Sequence, residues 1–379
     1  MTQTAWANKV FNDSLDVKGK RVLVRLDLNI PVENGVITDT TRMDAVIPFL
    51  TKLSFAGAKL VLLSHFGEKG ESLEVVGKEL SRRLSFVSFV GGLDQEVITD
   101  AVVKLREGDA ILLENVRLFP GETENVTGVA QFFASLGDLF INDAFSVSHR
   151  KHASVVGIPQ YLLSFIGPTC ARELTHLSLI LSPKKPALLI IGGAKISTKL
   201  SLINRYLDQG VGVFVGGAMV HNIFKARGLS IGQSLFDKDS TVTQDVANHP
   251  NLLMPIDVIL SDGQMVDFDK VPEDGVIVDC GDKTLELLKK PINEAETIIM
   301  NGPLGLYEKG WLHGTESVLT MLGSRPKEVT YIGGGDTVAA AGKVNSLKNI
   351  GFVSLGGGAM LDFLASGTLV GIDAVTKQE

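Results

Sequence analysis

Two lysines four residues apart, Lys195 and Lys199, follow a glycine pair, Gly192 and Gly193, at the end of the apolar run Ala187–Ile191. The spacing predicts a helix that opens on these residues and carries both ammonium groups on one face. Like charges at that spacing repel, and cations near a helix N-terminus oppose its dipole, each by a few tenths of a kcal/mol. An anion reverses both penalties, and free N–H groups with close-approaching glycines make phosphate the natural guest. Two solvated lysines on an exposed helix are the structural alternative. Gly333-Gly334-Gly335-Asp336-Thr337 and Gly356-Gly357-Gly358 repeat the pattern of apolar strand, glycine turn and helix. Asp336 there is either an N-cap or a carboxylate aimed at Mg²⁺, with Thr337 aimed at a nucleotide phosphate. One such turn is weak evidence; three in one half are hard to ascribe to packing. Asn301 and Glu308, seven residues apart after another apolar run, offer an amide and a carboxylate. They serve either turn chemistry or the ribose and base rim of a nucleotide.

The N-terminal half carries a different set. Arg25, Asp27 and Asn29 alternate with apolar residues at the end of a buried run, so their side chains leave on one face. Buried polar groups need partners. Arg42, His65, Arg117 and the pair His149-Arg150 follow other such runs. Singly each arginine reads as a surface ion pair. Four arginines and two histidines at successive strand ends favour an anionic metabolite.

The elements that must position these groups follow from the apolar runs. Arg21–Asp27, Lys59–Ser64, Ala110–Glu114, Leu139–Asn142, Ala187–Ile191, Val211–Val215, Val258–Leu260, Thr297–Met300, Val329–Ile332 and Phe352–Leu355 read as strands buried on both faces. Helix-length amphipathic stretches, Asp44–Ala56, Ser72–Leu84, Val126–Leu136 and Thr198–Asp208, lie between them. That alternation predicts two doubly wound α/β domains with parallel sheets. Open sheets of this kind bind ligands at the carboxyl ends of their strands, where the glycines and arginines sit. The divide falls near Ser164–Pro186, with Ala171–Ser182 as a connecting helix. The expected organisation is an N-terminal domain over 1–165, a connecting helix over 166–182 and a C-terminal domain over 183–365.

Length and composition bound the rest. A chain of 379 residues exceeds the roughly 250–300 at which one core stops growing. It is 45% hydrophobic and 21% charged, as a compact folded protein is. A net charge of -7 argues against binding nucleic acid through bulk charge, so any anion site must be focused. Two distant cysteines, Cys170 and Cys280, suggest neither a zinc site nor a disulfide framework. No apolar run approaches the roughly 18 residues of a membrane span, and residues 1–10 do not read as a signal peptide. A cytoplasmic location is expected.

These residues resemble one family closely. RLDLNIP at 25–31, SHFG at 64–67, LLENVR at 112–117, NDAFSVSHRKHAS at 142–154, IGGAKISTK at 191–199, VGGAMVHNIFKARG at 215–228, MNGPLGLYE at 300–308, IGGGDT at 332–337 and SLGGGA at 354–359 are similar, in order and spacing, to the landmarks of phosphoglycerate kinases. The resemblance implies two domains flanking an active-site cleft, joined by a helix about which they bend, with the tail 366–379 packing back on the N-terminal domain. It implies that Arg25, Asp27, Asn29, Arg42, His65, Arg117 and Arg150 bind phosphoglycerate. Gly192, Gly193, Lys195, Lys199, Gly216, Gly217, Asn301, Pro303, Glu308, Gly333, Gly334, Gly335, Asp336 and Thr337 would bind ATP or ADP, with Asp336 as the Mg²⁺ ligand. Catalysis would fall to Arg42, Lys195 and the turns at Gly334 and Gly357. A monomer acting on 3-phosphoglycerate or 1,3-bisphosphoglycerate, with no nucleic-acid or membrane partner, is the family expectation.

The chain departs from the family at Glu68, where an arginine is usual, and less at Ser146, Met300, Leu355 and Asp282. A carboxylate at Glu68 would repel a substrate phosphate; Lys69 would replace the arginine, or Glu68 would point to solvent. The alternative is a catalytically weakened homologue that binds nucleotide or acts as a scaffold. A nicotinamide-dependent dehydrogenase lacks the Gly-x-Gly-x-x-Gly fingerprint, and a Walker-type NTPase lacks its Gly-x-x-x-x-Gly-Lys loop.

Overall fold

A computed structural model describes residues 4–67 and 70–378. The chain divides into two compact units, one running to Thr175 and resuming at Ser366, the other His176–Ala365. The boundary falls inside the helix Pro168–Ile180.

In the first unit the strands are β1 (Arg21–Leu26), β2 (Val32–Glu33), β3 (Val36–Ile37), β4 (Lys59–Leu63), β5 (Val87–Val90), β6 (Ala110–Leu113), β7 (Leu139–Asp143) and β8 (Ser164–Ile166). Six of them form a parallel sheet in the order β5-β6-β4-β1-β7-β8, and β2 and β3 make a hairpin. The sheet is doubly covered, and the period-two alternation of strands shows it. Val22, Val24, Leu26, Leu60 and Leu62 join one apolar cluster, whereas Leu23, Val61, Leu63, Ile111 and Phe140 join another on the opposite face. Each such buried side chain contributes about 1.5–3 kcal/mol relative to exposure.

The second unit contains β9 (Ala187–Ile191), β10 (Gly212–Val215), β11 (Leu252–Leu253), β12 (Asp257–Leu260), β13 (Met265–Asp267), β14 (Ile277–Cys280), β15 (Thr297–Asn301), β16 (Thr330–Gly333) and β17 (Phe352–Ser354). Its parallel sheet runs β11-β10-β9-β15-β16-β17. The run at Val258–Leu260, read as another parallel strand, instead centres an antiparallel sheet, β13-β12-β14. An apolar run alone does not reveal strand direction, because both kinds of buried strand look alike.

Strand order places the sites. Chain direction across the sheet reverses between β1 and β7 in the first unit and between β9 and β15 in the second. At such reversals the loops diverge to opposite faces and leave a crevice beyond the carboxyl ends. The helix Pro168–Ile180 begins with a proline, tolerated where no backbone N–H is required. Asp143, at the end of β7, accepts the Cys170 N–H at 2.9 Å.

One element differs from expectation near the site. The helix after β9 starts at Leu200, with Lys199 at its N-cap, so Lys195 and Lys199 do not share a helical face. Residues 192–199 form a loop instead. The Ser197 N–H and hydroxyl both donate to Asp237 Oδ2, at 3.0 and 2.5 Å, a bond that competes with helical pairing.

No single helix among the described residues is long and apolar enough to cross a membrane.

Candidate functional site

In the first unit the polar groups at the ends of β1, β4, β6 and β7 converge. Arg25, on β1 in register with Asn142 and Leu63, is fully buried. Its Nε donates to Ser154 Oγ at 3.0 Å and its Nη2 lies 3.4 Å from His65 Nδ1. Ser154 in turn donates to the buried Glu122 carboxylate through N–H, at 2.9 Å, and hydroxyl. Burial lowers the Arg25 pKa to about 10, with Glu122 and Asp27 opposing the shift, so the guanidinium stays charged at neutral pH. His65 is pushed down to about 2, first by burial and then by Arg25, Arg117 and Arg42. It is a neutral imidazole, not one of the cations the sequence suggested.

Asp27, within electrostatic range of Arg25, centres a second set with Arg42. Its Oδ1 accepts from Arg42 Nη1 and from the Asn29 N–H, both at 3.2 Å, and its Oδ2 accepts from Ser146 Oγ at 2.6 Å. Arg42 Nη1 also donates to the Asn29 carbonyl at 2.8 Å. Asn29 Oδ1 receives the Gly67 N–H at 2.9 Å, and Arg117 Nη1 donates to the Gly67 carbonyl at 2.8 Å. Arg25 and His65 thus form one hydrogen-bonded set and Asp27, Asn29, Arg42 and Arg117 another, the two within electrostatic range of each other, while Arg150 stands exposed after the β7 loop. Ser146, a departure from the family glycine, supplies a donor to Asp27. Glu68 and Lys69 lie outside the described residues. Glu71 does approach this edge: its Oε2 would lie 1.6 Å from a Cβ at Gly67.

The glycines of the second unit fall into two kinds. A Cβ at Gly192 would meet the Pro303 carbonyl oxygen at 2.1 Å, one at Gly217 the Gly193 nitrogen at 2.6 Å, and one at Gly216 a Leu304 methyl at 2.7 Å. These residues are glycine because three strand-end loops cross there, tied by Gly192 N–H to Asn301 O, Gly193 N–H to Pro303 O and Gly217 N–H to Leu304 O at 2.9–3.0 Å. Packing therefore does explain several glycines that the sequence alone attributed to a ligand. Gly335 and Gly357 are different, since a Cβ at either meets nothing within 4 Å. Gly334 needs its positive φ of 95° to turn into the helix Gly335–Lys343.

Around these loops Lys199 is partly buried and donates to the Gly192 carbonyl. Burial lowers its pKa to about 8, with Asp336 opposing the shift. Asp336 is exposed in the helix's first turn. Thr337 is buried, and its hydroxyl accepts the Gly302 N–H at 2.8 Å, so it braces the loop crossing. Asn301 and Glu308, paired in the sequence reading, separate. Glu308 lines a cleft of about 120 Å³ with Gly193, Gly217, Leu235, Val278 and Leu306. The Asn301 amide is buried, lies 3.4 Å from a Cβ built at Gly334, and has no hydrogen-bond partner on Nδ2 among the described residues.

Three residues that the sequence reading passed over hold these parts in place: Glu122 behind Ser154 and Arg25, Asp237 behind Ser197, and Asp279. The Asp279 carboxylate accepts the Gly314 N–H at 3.1 Å and would lie 2.5 Å from a Cβ at Gly305 or Gly314. Only the glycines packed against it could have signalled it in one sequence.

The sequence model of the family described as phosphoglycerate kinase matches residues 12–367. The phosphoglycerate kinase of Chelativorans sp. (strain BNC1) is 38% identical over 397 aligned positions, covering 97% of this chain and 99% of that protein. That of Trichodesmium erythraeum is 37% identical, covering 96% and 97%. Among solved structures, phosphoglycerate kinase from Coxiella burnetii aligns with a TM-score of 0.80 at 34% identity, covering 97% of this chain and 99% of that one. The enzyme from Pyrococcus horikoshii aligns with a TM-score of 0.82 at 25% identity, covering 97% and 98%. Fold, strand-end residues and relatives together define a two-unit α/β phosphotransferase. More narrowly, the chain belongs to the phosphoglycerate kinase family.

Proposed function

We propose that this protein transfers a phosphoryl group reversibly between 1,3-bisphosphoglycerate and ADP, giving 3-phosphoglycerate and ATP. The observation that carries this reading is the family match over nearly the whole chain. The arginines gathered around the buried Arg25 at the first sheet's reversal and the glycine loops at the second's support it.

In this reading the first unit binds phosphoglycerate through Arg25, Arg42, Arg117 and Arg150, with Asn29 and neutral His65 as hydrogen-bonding groups. Asp27 would accept from the substrate hydroxyl, the one uncharged donor on that anion. The second unit binds nucleotide, with the apolar cleft and Glu308 for the nucleoside and the turns at Gly334–Gly335 and Gly357 for phosphates. The orphan Asn301 amide is a donor without an acceptor, and a phosphate oxygen above Gly334 would supply one.

The attacking carboxylate of 3-phosphoglycerate is ionised at pH 7, since carboxyl pKa values lie near about 4, so no general base is needed. Catalysis then rests on in-line positioning and on cations facing the transferred group. Lys195 and Arg42 are assigned that role, and Lys199 supplies charge beside the glycine crossing. The Asp336 carboxylate, exposed and without a hydrogen bond or ion pair to any described residue, fits a Mg²⁺ ligand, because Mg²⁺ commonly takes one or two carboxylates and completes its shell with phosphates and water. No group of three acidic, histidine or cysteine side chains that could hold a metal ion occurs among the described residues. The bound ion would neutralise phosphate charge. Because the two sets of residues belong to separate units, transfer requires hinge bending at the connecting helix, which also excludes water from the acyl phosphate. A cytoplasmic monomer completes the proposal.

A coupled assay with ATP, Mg²⁺ and 3-phosphoglycerate tests it. Turnover is expected; background rates from folded protein that still binds ATP would establish the weakened-homologue reading instead.

A further inference from the structure

We infer that Asp237 is a positioning residue that sets the loop carrying Lys195 in its working shape. This rests on the reading of Lys195 as the cation facing the transferred phosphoryl group.

The loop after β9 is pinned at three points. Ile196 is fully buried. Ser197 gives both its N–H and its hydroxyl to Asp237 Oδ2. Lys199 donates to the Gly192 carbonyl. Thr198 Oγ1 closes the turn onto the Lys195 carbonyl at 3.0 Å, and the Lys199 N–H onto Ile196 O at 2.9 Å. The Lys195 side chain is left exposed, its ammonium without a hydrogen bond or ion pair to any described residue, so the backbone on either side decides where that ammonium goes.

Asp237 is in turn held from a separate element. Asn222, on the helix Val220–Ala226, accepts the Asp237 N–H at 3.0 Å and donates to its carbonyl at 2.7 Å. The second carboxylate oxygen takes the Asp239 N–H at 3.2 Å. With both oxygens occupied by donors, Asp237 is an acceptor hub and not a ligand group, and its charge lies within electrostatic range of Lys195. Without it Ser197 loses the acceptor of two donors. The helix that now starts at Leu200 can then extend backward through Ser197, which would change the direction in which the chain enters it and so move Lys195.

Two measurements test this. Backbone hydrogen exchange over residues 194–199 is expected to rise about tenfold in Asp237→Ala, and less in Asp237→Asn, which keeps one acceptor. Unchanged exchange overturns the inference whatever the enzyme does. In the coupled assay Asp237→Ala is expected to lower kcat 10- to 100-fold with a smaller change in the ATP KM. The same substitution made in Lys195→Ala is expected to cost less than twofold. An equal loss in both backgrounds means that Asp237 does not act through Lys195, and the inference fails. Parent protein that shows no turnover would instead defeat the functional reading on which the kinetic arm stands. Circular dichroism of each variant, with Asp237→Asn as the milder change, separates misfolding from loss of position.

Discussion

The sequence assigns Lys195 and His65 to two different anion sites as basic residues, and the structure places one exposed and the other buried. Lys195 is exposed, so its substitution should spare the fold and, on the proposed mechanism, remove charge that faces the transferred group. Lys195→Ala is expected to reduce kcat about 100- to 1,000-fold, the scale of losing one well-placed transition-state contact, with an unchanged melting temperature. Near-normal turnover would remove it from the mechanism. His65 is buried among arginines and held neutral, its pKa near 2, and His152 is lowered to about 4 by burial and by Arg25, Arg117 and Arg150. Neither is expected to titrate between pH 5 and 8 in histidine NMR spectra, so a pH-rate inflection near 6.5 would have another source. An unfolded chain would protonate both below about 6.5. These two sites therefore favour the native state above that pH and lose their contribution as pH falls toward the folded values. Charge type was legible in the residues; ionisation was not, because burial and neighbours set it.

At the scale of elements, glycines that look alike in sequence differ in cause. Gly192 lies under the Pro303 carbonyl, and any Cβ must displace backbone. Gly192→Ala is expected to lower thermal stability markedly. Gly335 faces open space at the start of its helix, where alanine raises helix propensity by up to about 1 kcal/mol. Gly335→Ala is expected to keep or raise the melting temperature while weakening ATP binding, and differential scanning calorimetry with and without MgATP distinguishes the two. The connecting helix carries a pH response of its own. Asp143 caps it from β7, buried beside Cys170 and with Ser148 and Glu173 nearby, and burial raises its pKa to about 7. A raised carboxyl pKa means that the native state holds the proton longer than the unfolded chain, so stability declines as pH rises from about 4 through about 7. Asp143→Asn is expected to stabilise the protein by about 1–3 kcal/mol at pH 8 and by little at pH 4, measured by urea unfolding. The long strands and their helices were readable from the apolar runs. The short strands β2, β3, β5, β8, β11, β13 and β14 were not, because tertiary pairing defines them more than pattern does, and the helix expected to carry Lys195 and Lys199 gives way to a loop whose acceptor, Asp237, lies 40 residues away from Ser197.

For the whole molecule, the assignment of two ligands to two units predicts separate footprints. MgATP is expected to slow hydrogen exchange at 192–199, 301–308 and 333–337, and 3-phosphoglycerate at 25–29, 65–67 and 115–117. Protection of the first set by 3-phosphoglycerate alone would contradict the division. By itself the sequence determined the fold class, the family and the polar residues that follow each strand, since burial on both faces and polar residues after each run are local patterns that survive without coordinates. What the tertiary structure alone decided is which polar groups meet and in what state: Arg25 backed by Ser154 and Glu122, Asp27 shared by Arg42 and Ser146, Thr337 bound to Gly302. It also separated the glycines made necessary by crossing backbones from those left open. The physical reason is the same throughout. Periodicity is a property of neighbours along the chain, whereas desolvation, hydrogen-bond partnership and close approach belong to neighbours in space, and those are chosen only when the strands take their places in the sheets.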